Sequence, residues 1–384
     1  MLGTTLFLVV FGLLMVLSSS AVQSYVADGD FFSRAARQGL FALIGIPLML
    51  LASRMPILFW KRWAWHFLVI GAVLQLLVFT GLGASYGGNT NWISIVGFTL
   101  QPSEFLKLAL VVWLATMLTL KGERIQDWRE LIVPIAPVSG LAIALVLMGQ
   151  DLGTAVILLV LTLGSLLYAG VRLRYLLVVV AAVSLAGLAF SQLSGSRRDR
   201  IDAWLSGCTR PEDYELHCWQ TIHGWEALAN GGVVGVGLGN SDAKWLWLPH
   251  AESDFIFAIV GEELGMVGAV LVLVLFAVMA ITMVRIARSV TDPFARTATG
   301  AIMLWITSQA FVNIAVVLGV LPVLGVPLPL MSAGGSALIA TLLAIGVVLS
   351  FARDRPEHRR DSSGAVPLDA RREAGFWRTA RPRS

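Results

Sequence analysis

The chain has 384 residues, 57% apolar and only 14% charged, with a mean hydropathy of +0.78. A soluble domain carries about 25% charged residues, so an ordinary soluble enzyme is excluded. A net charge of +4 gives no sign of nucleic-acid binding.

Taken in chain order, apolar runs long enough to cross a bilayer lie near 4–23, 38–53, 64–82, 102–120, 131–148, 153–169, 175–193, 255–284, 297–320 and 335–352. Each crossing needs about 20 residues. The pattern predicts an all-α polytopic membrane protein with about ten transmembrane helices in one domain over 1–352. The first run lacks a basic leader and is too long for a signal peptide, so it reads as a span.

Lys and Arg counting sets the orientation, because cytoplasmic loops hold the excess. One set of loops holds Arg54, Lys61, Arg62, Lys121, Arg124, Arg129, Arg172, Arg174, Arg285, Arg288 and Arg296, and nine Arg follow Phe351, twenty cations in all. The other set holds seven, and Lys107 lies within a span. Both termini are therefore expected in the cytoplasm. The tail, 353–384, is Arg-rich with Pro, Ser and Gly and reads as disordered. It is an anchor near anionic lipid or a site for a cytosolic partner.

The outer side has one large loop, about 194–253. It holds both cysteines, Cys208 and Cys218, ten residues apart. In an oxidising compartment an isolated pair in one loop reads as a disulfide; the alternative is two free thiols. Trp204, Trp219, Trp225, Trp245 and Trp247 read as an interfacial belt or loop packing rather than a cofactor box.

Charge inside a span costs at least ~2.5–3.5 kcal/mol, so each instance needs a reason. In Gln101-Pro102-Ser103-Glu104-Phe105-Leu106-Lys107, Pro102 suits a first helical turn and Glu104 its positive end. Glu104 and Lys107 share a face at i,i+3. They form either a structural ion pair facing the bundle interior or a polar wall that meets a charged substrate. Asp151 stands at the outer start of the sixth span, where a helix cap is the simplest reading.

The densest cluster is His250-Ala251-Glu252-Ser253-Asp254-Phe255, followed by Glu262 and Glu263. Asp254 meets the apolar run directly. It either caps the eighth span or serves as a partly desolvated general base, its pKa raised toward the operating pH. Glu262 and Glu263 cannot both face lipid; at least one is expected to bond inward, to Lys107 or to backbone. The Gly-rich stretch Gly231–Ser241 has no βαβ unit around it, so it reads as close backbone approach or a re-entrant turn. Leu321–Ser336 holds three prolines and three glycines at membrane depth. Such backbone must be buried in protein or line a wet cavity.

These segments together resemble the SEDS family (shape, elongation, division and sporulation), the FtsW/RodA proteins. The resemblance covers about 85–355 and rests on the order and spacing of several motifs. They are Asn91-Trp92-Ile93, Gln101-Pro102-Ser103-Glu104 with Lys107, Asp151-Leu152-Gly153-Thr154, Gly235 to Ser241, Asp254-Phe255-Ile256-Phe257-Ala258, Glu262-Glu263-Leu264-Gly265, Pro327-Leu328-Pro329 and Ser332-Ala333-Gly334-Gly335-Ser336. Gly239-Asn240-Ser241 to Lys244-Trp245 and the Ser332-Ala333-Gly334-Gly335-Ser336 run resemble the division branch of high-GC Gram-positive bacteria more than the elongation branch.

The resemblance implies a peptidoglycan glycosyltransferase that joins lipid II disaccharides through β-1,4 bonds outside the plasma membrane, at the division septum. Its implied partners are a class B penicillin-binding protein, which crosslinks, and other divisome proteins. Asp254 is the implied catalytic base. Glu104, Lys107, Asp151, Glu262, Ser332, Gly334 and Gly335 are implied substrate-cavity residues. Diphosphate charge calls for a cation: Lys107, a loop arginine such as Arg197 or Arg198, or a divalent ion (Mg or Mn). An elongation-type polymerase, a lipid II flippase and a division scaffold are the competing readings.

Overall fold

The computed structural model describes residues 1–86, 89–95, 98–191, 201–210, 214, 218–245 and 247–353. The chain enters as three long apolar helices, α1 (Leu2–Asp28), α2 (Ser33–Ala52) and α3 (Ile57–Leu77). The third starts seven residues before the predicted 64–82 run. Lys61 and Arg62 depress hydropathy there, yet Lys61 is paired with Asp292 at 2.7 Å. After α3 comes a feature absent from the sequence reading. Strands β1 (Gly83–Tyr86), β2 (Asn89–Ile95) and β3 (Phe98–Leu100) form a small antiparallel meander.

Helix α4 (Pro102–Lys121) begins with Pro102 in its first turn, where a missing N–H costs nothing. The fifth predicted span is two helices, α5 (Trp128–Ile132) and α6 (Ile135–Met148). Helix α7 (Leu152–Ala169) is capped by Asp151, whose Oδ1 accepts from the Thr154 N–H at 2.9 Å. Helix α8 (Leu173–Ser191) occupies the seventh predicted position, and α9 (Trp219–Gly231) lies within the large outer loop.

The eighth span, α10 (Ile256–Ser289), is 34 residues long. At 1.5 Å per residue that is about 51 Å, far more than a hydrocarbon core of about 30 Å. The excess is resolved by a break at Gly265, with φ 66° and ψ −164°. Residues 256–263 are buried, whereas Met266, Val267, Val270 and Leu273 beyond the break are exposed. Thus the lipid-facing span is 266–289, and the expected 255–284 run is two helices of different character. Helices α11 (Pro293–Val317) and α12 (Gly335–Arg353) complete the bundle.

Among the described residues, nine helical segments are long and apolar enough to cross a membrane. Helices α4 and α11 form the centre, with 72% and 78% of their most apolar windows buried, against 22% in α3. The meander, the α6–α7 turn, the described part of the large loop and 318–334 lie at one end of the bundle. Thr90 N–H bonds the Gly149 carbonyl at 3.1 Å, and Ala333 N–H bonds the Glu252 carbonyl at 2.8 Å. This is the end away from the Lys/Arg-rich loops, hence the outer end.

Candidate active site

The site is built around a tight turn just before α10. His250 adopts a left-handed φ of 59°. Its carbonyl then accepts from the backbone N–H groups of Ser253, Asp254 and Phe255 at 3.1, 3.1 and 3.2 Å. The turn holds Asp254 half-buried at the outer mouth of the bundle. A methyl group on Gly325 would lie 3.7 Å from Asp254 Oδ2, so that glycine forms one wall of the carboxylate's surroundings. Burial is the main cause that raises the Asp254 carboxyl from its ordinary value to about 6. His250 pulls it down, Glu252 and Asp151 push it up, and the Ser253 hydroxyl pulls it down again. A carboxyl so placed is ionised at neutral pH yet basic enough to take a proton.

The Pro/Gly-rich segment 321–336 is the second wall. It runs inward until Leu330 and Met331 meet α1 at Gly12, where an added methyl would stand 2.6 Å from Met331 Cα. Its middle, 328–332, is buried, and side-chain amides satisfy much of the segment's backbone. Asn313 Nδ2 donates to the Val326 carbonyl at 2.8 Å. Gln309 Nε2 donates to the Pro327 carbonyl at 3.0 Å. Gln38 Nε2 donates to the Ser332 carbonyl at 3.1 Å, and its Oε1 accepts from the Gly334 N–H at 3.1 Å. The Ser332 hydroxyl accepts from the Leu328 N–H at 2.8 Å and donates to the Ser253 carbonyl at 2.5 Å. It therefore latches this segment to the Asp254 turn. Gly335 packs on Phe41, whose ring lies 2.2 Å from where a methyl would stand.

The ion pair expected on α4 is present and deep. Lys107 Nζ stands 2.8 Å from Glu104 Oε2 and 2.9 Å from Oε1, with side chains 1% and 2% exposed. The same ammonium donates to Gln309 Oε1 at 2.9 Å and lies 4.8 Å from the Trp305 ring centroid. This arrangement matches the structural reading of the pair, because Lys107 is fully engaged within protein. Asp151 both caps α7 and accepts from Gln101 Nε2 at 3.0 Å through Oδ2. At the outer rim, Arg34 forms an ion pair with Glu252, while the Glu252 Oε2 is buried without a partner.

Glu262 and Glu263 bond inward, but not to Lys107. Glu262 accepts from the Ser241 hydroxyl, from Asn230 Nδ2 at 3.0 Å, and from the Asp242 and Ala243 N–H groups at 3.1 and 3.4 Å. Glu263 accepts from the Ser18 hydroxyl at 2.5 Å and faces Lys244 at 3.7 Å. The Gly-rich stretch explains itself at the same place. Val236 and Gly237 donate to the Glu262 and Glu263 carbonyls at 3.0 Å, while Met266 and Val267 donate to Gly232 and Val233 at 2.9 and 3.2 Å. The loop thus satisfies both sets of backbone groups freed by the break.

Cys208 and Cys218 form a disulfide with Cα atoms 5.6 Å apart. Arg197 and Arg198 lie outside the described residues. Among the described residues no group of three or more His, Cys, Asp or Glu side chains is arranged to hold a metal. Sequence reasoning missed Gln38, Gln309 and Asn313. Gln309 and Asn313, four apart on an otherwise apolar helix, were a readable signal of inward hydrogen bonding.

Comparison with known proteins identifies the family. A family model described as Cell cycle protein, covering FtsW, RodA and SpoVE, matches residues 1–357. The chain is 41% identical over 347 residues to the probable peptidoglycan glycosyltransferase FtsW of Mycobacterium tuberculosis, covering 90% of this chain. It spans 66% of that relative's length, just short of two thirds. It is 37% identical over 342 residues to the probable peptidoglycan glycosyltransferase FtsW of Geobacter metallireducens, covering 88% of this chain and 90% of the relative. A solved chain from a peptidoglycan synthase complex described as coordinating polymerization and crosslinking superposes with a TM-score of 0.75. It is 26% identical and covers 92% of this chain and 98% of its own. The family match over 1–357 and the relative covered to 90% of its length show that the chain belongs to the FtsW/RodA/SpoVE family of cell cycle proteins, the SEDS proteins.

Proposed function

We propose that this protein is a peptidoglycan glycosyltransferase that polymerises lipid II at the outer face of the plasma membrane. The observation that carries the reading is the Asp254 carboxylate, half-buried at the outer mouth between the His250 turn and Gly325. The donor sugar's C1 bears a diphosphate, already a good leaving group, so no strong acid is required. The acceptor 4-hydroxyl attacks C1 as Asp254 takes its proton. The new C1–O bond forms on the face opposite the diphosphate, the C1–O–phosphate bond breaks, and polyprenyl diphosphate departs. The result is inversion at C1, as in the base half of an inverting glycosidase.

The other residues have supporting roles in this reading. Asp151 and Glu252 help keep Asp254 basic. Glu104 and Lys107 position the 321–336 wall through Gln309, and Ser332, Gly334 and Gly335 fix its outer end. Glu262 holds the Gly231–Ser241 loop. Diphosphate charge requires a cation; Arg34 stands at this rim, in an ion pair with Glu252.

The relatives named FtsW favour a division role at the septum over an elongation role. The similarity to a chain of a peptidoglycan synthase complex favours a class B penicillin-binding protein as partner, with other divisome proteins around it. The test is lipid II polymerisation by the purified protein in detergent, with and without the transpeptidase. Glycan strands that disappear in Asp254→Asn support the polymerase. Strands from neither mixture, with lipid II translocation in vesicles, would instead make it a flippase.

A further inference from the structure

The large outer loop contains a cavity that the reaction above does not use. It has a volume of about 260 Å³ and lies between the Cys208–Cys218 bridge, the start of α9 and the turn after α11. Trp204 and Trp225 line it, with Gln220 and Thr221 as polar neighbours and Val323 on the far side. None of its described lining residues is charged.

The two indoles are fixed to the same turn. Trp204 Nε1 donates to the Gly319 carbonyl at 2.9 Å. Trp225 sits so close to Gly319 that a methyl there would lie 2.2 Å from its Cζ2. Trp225 nevertheless remains 36% exposed, leaving ring surface for a ligand. The disulfide ties the segment that bears Trp204 to the residue preceding α9. The walls are therefore braced before any ligand arrives.

The cavity adjoins the reacting centre. Val323 is two residues from Gly325, the wall of Asp254, and two extended residues reach about 7 Å at most. Its chemistry selects the ligand class. Indole faces with one amide and one hydroxyl suit a neutral ring that is apolar on one side and rich in hydroxyls on its edge. The volume falls just below the roughly 300–1,000 Å³ of drug-sized sites, enough for a single ring.

We infer that this cavity is a saccharide subsite that holds a neutral N-acetylhexosamine ring of the glycan substrate beside Asp254. The inference rests on the polymerase reading and adds a second point of contact for the sugar chain. The test uses the full-length protein in nanodiscs with chitotetraose as probe, followed by saturation-transfer NMR and tryptophan fluorescence. Saturable binding is expected, weakened about tenfold by Trp225→Ala and by Gln220→Ala. Binding is unchanged by Trp63→Ala, an exposed indole on α3. In polymerisation assays the first two variants shift the products toward shorter strands.

If Trp225→Ala does not fold, the half-buried Gln220 decides through Gln220→Ala. Wild-type protein that ignores chitotetraose, or variants that bind it as tightly as wild type, overturn the subsite. A protein that binds chitotetraose but makes no strands sinks the polymerase reading and leaves the cavity a sugar site.

Discussion

Asn313 Nδ2 donates to the Asp254 carbonyl at 2.7 Å while also reaching the Val326 carbonyl at 2.8 Å. One amide from α11 thus ties the proposed base to the wall opposite it. Asn313→Leu strands both carbonyls, and each buried unpaired group costs about 1–3 kcal/mol. The expected outcome is a lower melting temperature together with slower polymerisation, read by thermal shift and product formation on the same preparation.

Asp254→Asn keeps the shape of the side chain but removes the base. General-base catalysis contributes typically about 10²–10⁴-fold, so polymerisation is expected to fall by at least that range while membrane insertion persists. Strand synthesis by Asp254→Ala at the wild-type rate would remove Asp254 from the reaction.

The pH dependence follows from the carboxyl raised to about 6. The base must be ionised, so kcat/KM should climb from pH 5 to pH 7 with an apparent pKa near 6. Stability moves the other way. The folded state holds its proton up to about 6 and the unfolded state only up to 3.8, so the stability Asp254 contributes is full below 3.8 and is lost as pH rises to about 6. At pH 7, Asp254→Asn should therefore melt higher than wild type, by about 2–4 °C. At pH 4 the two should converge.

The Glu104–Lys107 pair allows a double-mutant test. Removing one member of a buried pair costs about 3–5 kcal/mol, because the other charge is left alone. Lys107→Met should therefore lower stability sharply, and Glu104→Leu combined with Lys107→Met should restore much of it. Yield of monodisperse protein and melting temperature read the outcome. A double variant no better than Lys107→Met would mean that the ammonium is needed for its bonds to Gln309 and Trp305 rather than to neutralise Glu104.

Gly265 is the break in α10, at φ 66°. Gly265→Ala places a methyl 2.4 Å from both Gly235 N and the Val233 carbonyl. The loop beneath Glu262 must then move, and a large loss of folded protein is expected from size-exclusion profiles. Gly170→Ala, also at positive φ but with open space around it, should cost far less.

Most of the helical plan was legible because lipid makes the sequence speak plainly: an apolar run of sufficient length has few alternatives. The third helix was misplaced where Lys61 interrupts the run, since its partner Asp292 is more than two hundred residues away. The break in α10 left a trace in the excess length of its run, but only the folded chain fixes it at Gly265. The meander at 83–100 was missed because its strands are short. Asp254, Asp151 and the Glu104–Lys107 pair stood out because charge beside apolar sequence needs a reason. The amides of Gln38, Gln309 and Asn313 are uncharged and slipped past that filter, although they hold the wall together.

Gly235 and Gly265 stand back to back across the outer loop. A methyl on Gly235 would strike the Glu263 carbonyl at 2.2 Å, and one on Gly265 would strike Gly235 N at 2.4 Å. Neither position has room to mutate by itself. Over generations the pair can drift only if loop and helix are rewritten in step, so this small crossing acts as a hereditary lock on the geometry above it.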